Sequence, residues 1–292
     1  MDEKDWHMLK VIAEEKNVTR AAAHLYISQP ALSYRLKNLE KELGTDLIVR
    51  NSSGIILTSE GEYLLSFAKK MLPELRKVKD HIQNMKGTVQ GVLRLASSSV
   101  FAYYELPAIL KGFQQLYPEV EFLLKTGRND TVNQLLQKGE VPLAFIRGDY
   151  LWMEEKHLIC EEPICLISSS SLNIRDLPNH SQITVSTAGI HNMVEEWWRQ
   201  TFVVPPRIGM DVDNMNTCRQ MVLHGLGWGI IPAIGLKGYD SIFRKELHWK
   251  SGEPLSRKTW LMCRTSSMEL SAVRSFVEYI KSLDQFSSNR EC

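Results

Sequence analysis

From residue 16 to residue 39 the chain carries Lys16, Arg20, Arg35 and Lys37 and no acidic residue, a local charge of +4 in a protein whose total is +1. Within and just past that window Leu32, Leu36, Leu39 and Leu43 recur at spacings of four, three and four. This predicts one apolar helical stripe, capped by Ser28 and stopped by Gly44. Upstream, Ala21, Ala22 and Leu25 form a second, short helix, for which Thr19 is a candidate cap and which ends at Tyr26 and Ile27. Small residues at 21 and 22 let two helices cross closely. Trp6, Leu9, Ile12 and Ala13 share a face of a first amphipathic helix over residues 2–16, ending near Asn17. Two helices joined by a tight turn, the second with its own exposed polar face, describe a helix-turn-helix whose second helix fits the major groove of duplex DNA.

With the leucines turned inward, Ser33, Tyr34 and Lys37 face outward with Pro30, and Gln29 and Arg35 lie on the flanks. Residues 47–50 and 55–58 flank a turn at residues 51–54 and predict a two-stranded wing. The candidate DNA contacts are Thr19, Arg20, Ser28, Gln29, Pro30, Ser33, Tyr34, Arg35, Lys37 and Arg50. Arg20, Lys37 and Arg50 suit phosphates, whereas Gln29, Ser33 and Arg35 suit base edges. The competing account is a small helical bundle with a solvated polar face. Each feature alone leaves that account standing; the alanine pair, the cap, the acid-free window and the wing together favour DNA.

Ser59-Glu60-Gly61-Glu62 fits a capping box, and Leu64, Ala68, Met71, Leu75, Val78, Ile82 and Met85 follow at alternating spacings of four and three. Three heptads predict a linker helix with a seam for a second copy, bent at Pro73 but off the seam. The alternative is a helix packed on its own C-terminal domain. Two-fold pairing would present two recognition helices to a pseudo-palindromic site.

The chain changes character near residues 87–91. Residues 1–90 hold 14 basic and 12 acidic residues, and the remainder 21 and 22, so the near-neutral total averages unlike segments. Beyond the change, apolar runs at 92–96, 120–125, 141–146, 183–186, 229–232 and 259–263 alternate with helical patterns. That predicts a mainly parallel α/β sheet. The mixed segment 158–168 and a late helix at 268–283 suggest two lobes, the last helix returning to the first. The expected domains are a winged helix-turn-helix over 1–58, a linker helix over 59–88 and a two-lobed sensing domain over 89–292. Its lobes are expected at about 89–160 with 266–292, and at about 161–265; residues 285–292 read as a frayed polar end.

Two lobes imply a cleft, with ligands at the carboxyl ends of strands. The effector candidates are Ser97, Ser98 and Ser99 after the first run, Thr126 after the second, Arg147 at the end of the third, and Arg257 before the last. A guanidinium at a buried strand end needs an anion, either Asp149 or Glu105 of the chain itself or a bound carboxylate. Two such cations would suit a di- or tricarboxylate. Five scattered cysteines, none in C-x-x-C, point to buried reduced thiols rather than a disulfide framework or zinc site. No metal-ligand spacing of His, no nucleophile elbow and no phosphate loop occurs, so an enzyme is not expected and no cofactor is implied. No apolar run approaches the roughly 20 residues of a membrane span, and a soluble cytoplasmic protein is expected. A solute-binding module is the nearer rival, yet it has no use for residues 1–86.

Ala21-Ala22-x-x-Leu25-x-x-Ser28-Gln29-Pro30-Ala31-Leu32-Ser33, followed by Leu39-Glu40-x-x-Leu43-Gly44-x-x-Leu47-x-x-Arg50, resembles the signature of LysR-type transcriptional regulators. That family commonly has Phe where Ile48 stands and often Gln where Arg35 stands. The resemblance implies a winged helix-turn-helix, a dimer-forming linker helix, a periplasmic-binding-protein-like sensing domain and a homo-oligomer, commonly a tetramer. Duplex DNA and RNA polymerase are the partners it implies, with a small-molecule effector. Phe145-Ile146-Arg147-Gly148, the segment around Arg219 and Arg257-Lys258-Thr259-Trp260 are similar to the citrate-responsive catabolite-control branch, which implies citrate at Arg147 and Arg257. On this view ligand occupancy alters lobe closure and hence the spacing of paired subunits.

Overall fold

The computed structural model describes residues 1–51, 54–84, 89–186 and 188–283. The chain divides into two compact units, Met1–Thr88 and Val89–Cys292. The first unit opens with α1 (Glu3–Glu15), where Asp2 and Asp5 form a reciprocal capping box, and Lys16 ends it in the left-handed conformation at φ 49°. The cap of α2 (Val18–His24) is Asn17, not Thr19: its Oδ1 accepts from the Thr19 and Arg20 N–H groups at 2.9 and 3.1 Å. Asn17 reaches two orphan donors because it precedes the first helical residue, whereas Thr19 already lies inside the turn. In α3 (Gln29–Leu43) the Ser28 hydroxyl accepts from Ala31 N–H, and Gly44 closes the helix at φ 70°.

Leu32, Leu36 and Leu39 pack with Met8, Leu9 and Ile12 of α1 and with Ala21 and Ala22 of α2, which are fully buried at the helix crossing. The wing is β1 (Ile48–Asn51) antiparallel to β2 (Gly54–Leu57), with Ile48 opposite Leu57 and Arg50 opposite Ile55. Its turn is tied to the end of α1 by Ile55 N–H donating to the Lys16 carbonyl at 3.0 Å. Gly54 is required there, since φ is +127° and a Cβ would stand 2.6 Å from that same carbonyl. The side chain of Arg50 lies outside the described residues.

Helix α4 (Ser59–Asn84) runs unbroken through Pro73. Thr58 caps it, accepting from Gly61 N–H at 3.0 Å, while the Ser59 hydroxyl turns to Glu60. The cap is therefore one residue earlier than expected and no capping box forms, because the third helical residue after Thr58 is Gly61. Leu64, Ala68 and Leu72 are buried, the Trp6 ring meets Phe67 edge-on at 6.0 Å, and Lys79 pairs with Glu3 at 2.5 Å. Two of the seven seam residues, Leu64 and Ala68, are thus buried inside their own unit, where α4 packs on α1. Val78 and Ile82, 55 % and 60 % exposed, have no such cover; Met85 is outside the described residues.

The second unit contains one mixed sheet. In chain order its elements are β3 (Gly91–Ser98), α5 (Ser99–Tyr104), α6 (Leu106–Leu116), β4 (Val120–Gly127), α7 (Asn129–Gln137), β5 (Leu143–Arg147) and β6 (Glu155–Ser168). There follow β7 (Gln182–Val185), α8 (Ala188–Thr201), β8 (Ile208–Val212), α9 (Met215–Leu223), β9 (Trp228–Pro232), β10 (Phe243–Glu246), β11 (Ser256–Cys263) and α10 (Ser271–Ser282). Strand order is β4-β3-β5-β11-β6-β9-β7-β8, with β10 on β6. The β4-β3-β5 and β8-β7-β9 ladders are parallel, but β11 and β6 are antiparallel to each other and to their neighbours. The expectation of a mainly parallel sheet therefore holds for the two flanks and fails at the centre.

The physical reason is β6, a 14-residue strand that begins beside the first half-sheet and ends beside the second, with β11 alongside it. The first lobe packs Leu93, Phe101, Phe113 and Phe145 against Phe276 of α10. The second packs Cys218 and Val222 of α9 on one face, and Trp197, Trp198 and Trp228 on the other. Both Trp197 and Trp198 are buried, and their indole N–H groups donate to His248 and Val204 carbonyls at 3.0 and 2.8 Å. Cys165, Cys218 and Cys263 are buried, and burial pushes the Cys218 thiol up to about 12. Cys160 is disulfide-bonded, which departs from the expectation of reduced thiols throughout.

Candidate DNA-reading face and effector cleft

The buried leucine stripe of α3 turns Gln29, Pro30, Tyr34 and Lys37 to solvent, with Tyr34 70 % exposed. Gln29 Nε2 donates to Ser33 Oγ at 2.9 Å, so these two polar groups present one joined edge. Thr19 is exposed, and Arg20 donates to the Glu15 carbonyl at 2.7 Å with its carboxylate 3.7 Å away. Ser28 Oγ is held by its cap bond.

Arg35 has a different occupation from the expected one. Its Nε donates to Asp5 at 2.7 Å and its Nη2 to Asp2 at 2.6 Å, tying α3 to the start of α1. The same acids that cap α1 lie opposite α3, and a base-reading role gives way to a clamp. Desolvation pushes the Asp2 carboxyl up, but the Asp5 backbone N–H and the Arg35 guanidinium together hold it below the usual range. Asp2 and Asp5 were the available signal, three residues apart at a helix start. Tyr26 was not among the sequence candidates; it is 96 % exposed at φ 56° in the turn before α3.

In the second unit, a cavity of about 260 Å³ opens between the lobes. Its polar lining comes from Ser99, Tyr104, Asn214 and Asn216 and from two guanidiniums, Arg147 and Arg257; Val100, Val185, Ile190, Met215 and Ile230 supply apolar wall. Arg147 ends β5 and Arg257 lies near the start of β11; Thr259, opposite Arg147, shares the Arg257 face. Both arginines are buried, at 2 % and 5 % exposure.

The partner of Arg147 is neither Asp149 nor Glu105. Its Nη2 pairs with Glu162 of β6, a carboxylate with no exposed surface, whose other oxygen accepts from Ile234 N–H at 2.7 Å. Asp149 is exposed, and Glu105 pairs with Lys237 instead. Arg257 donates only a long bond, 3.4 Å, to the Arg147 carbonyl. Burial, with Arg147 beside it, pushes Arg257 down to about 10 against the partial support of Glu162. Arg147 Nε, Arg257 Nε and Thr259 Oγ1 are all buried without a hydrogen-bond partner.

The hydroxyl candidates separate. Ser99 lines the cavity, but Ser97 is buried with its hydroxyl on the Ser98 carbonyl at 3.1 Å, and Ser98 accepts from Phe101 N–H as the cap of α5. Thr126 is exposed on the edge strand β4, away from the cleft. The strand is one position further out in the sheet than a cleft residue requires. Tyr104 and Asn216, absent from the sequence reading, bridge the lobes beside the cavity together with Arg219. Tyr104 donates to Asn216 Oδ1 at 2.8 Å and accepts from Arg219 at 2.9 Å, and Arg219 lies 3.9 Å over the Tyr239 ring. Among the described residues no group of His, Cys, Asp and Glu is arranged to hold a metal ion, and no helix is long and apolar enough to cross a membrane.

A helix-turn-helix unit followed by a two-lobed α/β unit with a ligand-sized cleft defines a ligand-responsive DNA-binding protein. Residues 4–62 match the bacterial regulatory helix-turn-helix protein, lysR family, and residues 86–285 match the LysR substrate binding domain. The chain belongs to the LysR family of DNA-binding transcriptional regulators. It is 40 % identical over 282 residues to the Uncharacterized HTH-type transcriptional regulator YraN of Bacillus subtilis (strain 168), covering 96 % of this chain and 98 % of that one. A second relative from the same organism, the Uncharacterized HTH-type transcriptional regulator YkuM, is 33 % identical over 98 % and 99 %. Full-length CbnR complexed with its target DNA shares the fold, with TM-score 0.61 at 20 % identity over 96 % of this chain and 99 % of that one. None of these descriptions names an effector, so the similarity to a citrate-responsive branch gains no support from them.

Proposed function

We propose that this regulator reads duplex DNA with α3 and its wing as a homodimer, or a tetramer built from dimers, and that a small carboxylate in the cleft controls that binding. Gln29 and Ser33 approach base edges while Arg20 and Lys37 meet phosphates. The exposed Val78 and Ile82 of α4 supply the apolar contact for a second copy. Effector occupancy changes how the lobes close, and so the spacing of paired subunits and the half-sites they hold.

The observation that carries the effector reading is Arg257, a buried guanidinium with an unpartnered Nε in a cavity whose wall contains no acidic residue. A cation so placed is costly until an anion meets it. Citrate would need two free cations, and Glu162 already occupies one of the two.

Fluorescence anisotropy with the duplex upstream of the protein's own coding sequence tests the DNA reading. Lys37→Ala should weaken binding to every sequence and flatten the salt dependence by about one ion. Gln29→Ala with Ser33→Ala should erase preference for the operator over random duplex. Unchanged preference in that double variant would remove α3 as the reading element.

A further inference from the structure

We infer that the effector carries a single negative charge on an otherwise uncharged body, and that Glu162 sets that limit. The inference rests on the carboxylate reading above and sharpens it from three independent features of the cleft.

Charge comes first. Arg147, Glu162 and Arg257 form one buried cluster with a net charge of one positive, and Glu162 is fixed through both oxygens, to Arg147 and to Ile234 N–H. It cannot swing away to release Arg147 without orphaning that N–H. One anionic group therefore completes the cluster, because Arg219, the other buried cation beside the cavity, is already engaged by the Tyr104 hydroxyl and the Gly235 carbonyl. Geometry comes next. Arg257 Nε, Arg147 Nε and Thr259 Oγ1 are buried and unsatisfied, the Arg257 and Thr259 side chains two residues apart on one strand face. A carboxylate with two oxygens fits a guanidinium edge and a hydroxyl simultaneously. The remainder of the cavity comes last: Val185, Ile190, Met215 and Ile230 supply aliphatic wall, and Ser99, Tyr104, Asn214 and Asn216 supply uncharged polar groups. Such a lining takes an aliphatic or ring body and discriminates against further ionised groups by offering them no counter-charge.

The test holds the carbon skeleton constant and varies charge. Isothermal titration of the full chain uses cyclohexanecarboxylate, its neutral carboxamide, cis-cyclohexane-1,2-dicarboxylate, hexanoate and citrate. Cyclohexanecarboxylate or hexanoate should bind at least about tenfold tighter than the dicarboxylate and citrate, with the carboxamide weakest. In Glu162→Gln, which keeps an oxygen for Ile234 N–H and frees Arg147, the dicarboxylate should gain at least about tenfold relative to the monocarboxylates. Wild-type protein preferring the dicarboxylate or citrate to both monocarboxylates overturns the single-charge assignment while leaving the carboxylate reading intact. Tightest binding by the carboxamide, or no binding by any anion in the panel, overturns the carboxylate reading and this inference with it. The wild-type ranking decides the matter even where Glu162→Gln fails to fold.

Discussion

Arg257 is a residue that the unliganded protein should be better off without. Replacing it with methionine keeps an unbranched stem of similar reach but removes the guanidinium. Burial holds its pKa at about 10, well below the ordinary guanidinium value, which corresponds to about 3 kcal/mol of differential cost for the charged form at neutral pH. Against this stands one long hydrogen bond to the Arg147 carbonyl, 3.4 Å, worth at most about 1 kcal/mol. The Arg147–Glu162 pair is untouched. Arg257→Met should therefore stabilise the sensing unit by about 2 kcal/mol, and for a unit of this size that raises its Tm by about 4–8 °C. Six of the seven tryptophans lie in this unit, so intrinsic fluorescence during heating reports mainly its unfolding. The same variant should lose the thermal shift that an anionic effector gives to wild type. The sign extends to pH: a base with a lowered folded pKa binds more protons when unfolded, so this component of wild-type stability rises as the pH climbs above about 10 toward the ordinary guanidinium value, and the variant lacks it. A fall in Tm at neutral pH would refute the argument, because it would mean that Arg257 is already paired within the fold.

Tyr104→Phe removes the hydroxyl shared by Asn216 and Arg219; loss of about 1 kcal/mol should lower the same transition by about 2–4 °C, and an unchanged Tm would deny the lobe-bridging role. Arg35→Gln should destabilise the DNA-reading unit at neutral pH. Because Asp2 is held below its ordinary pKa, the difference from wild type should be present above the ordinary carboxylate range and vanish as the pH falls through the lowered value, as followed by far-ultraviolet circular dichroism. Val78→Lys with Ile82→Lys places charge on the uncovered end of α4, and light scattering should show a smaller assembly with unchanged helix content; an unchanged mass would move the dimer contact elsewhere.

Much of the DNA-reading unit was legible because its signals are local. A leucine stripe, a serine cap and a glycine stop each act within one or two turns, and the structure places α3 where they indicate. Arg35 shows the limit: its partners are 30 and 33 residues away, so periodicity showed its face but not its contacts. The two cleft arginines were visible as cations at strand ends. Glu162 was not, because an acid inside the long run of β6 becomes meaningful only once antiparallel pairing sets it opposite Arg257. Ser97, Ser98 and Thr126 misled for a related reason. Strand ends are easy to find in a sequence, but which strand sits at the centre of a sheet depends on pairing order, and β4 proved to be an edge.

The two strands that run through both lobes carry a mechanical consequence. Lobes joined by loops swing freely, but lobes joined by β6 and β11, hydrogen-bonded side by side, move only as those strands twist, and a ladder yields first where its register is broken. That break falls between Thr259 and Trp260 of β11, two residues from Arg257. An anion held by Arg257 therefore grips the torsion bar itself rather than the tips of the jaws, so that a displacement of a fraction of an ångström at the ligand becomes a larger arc at the outer faces of the lobes.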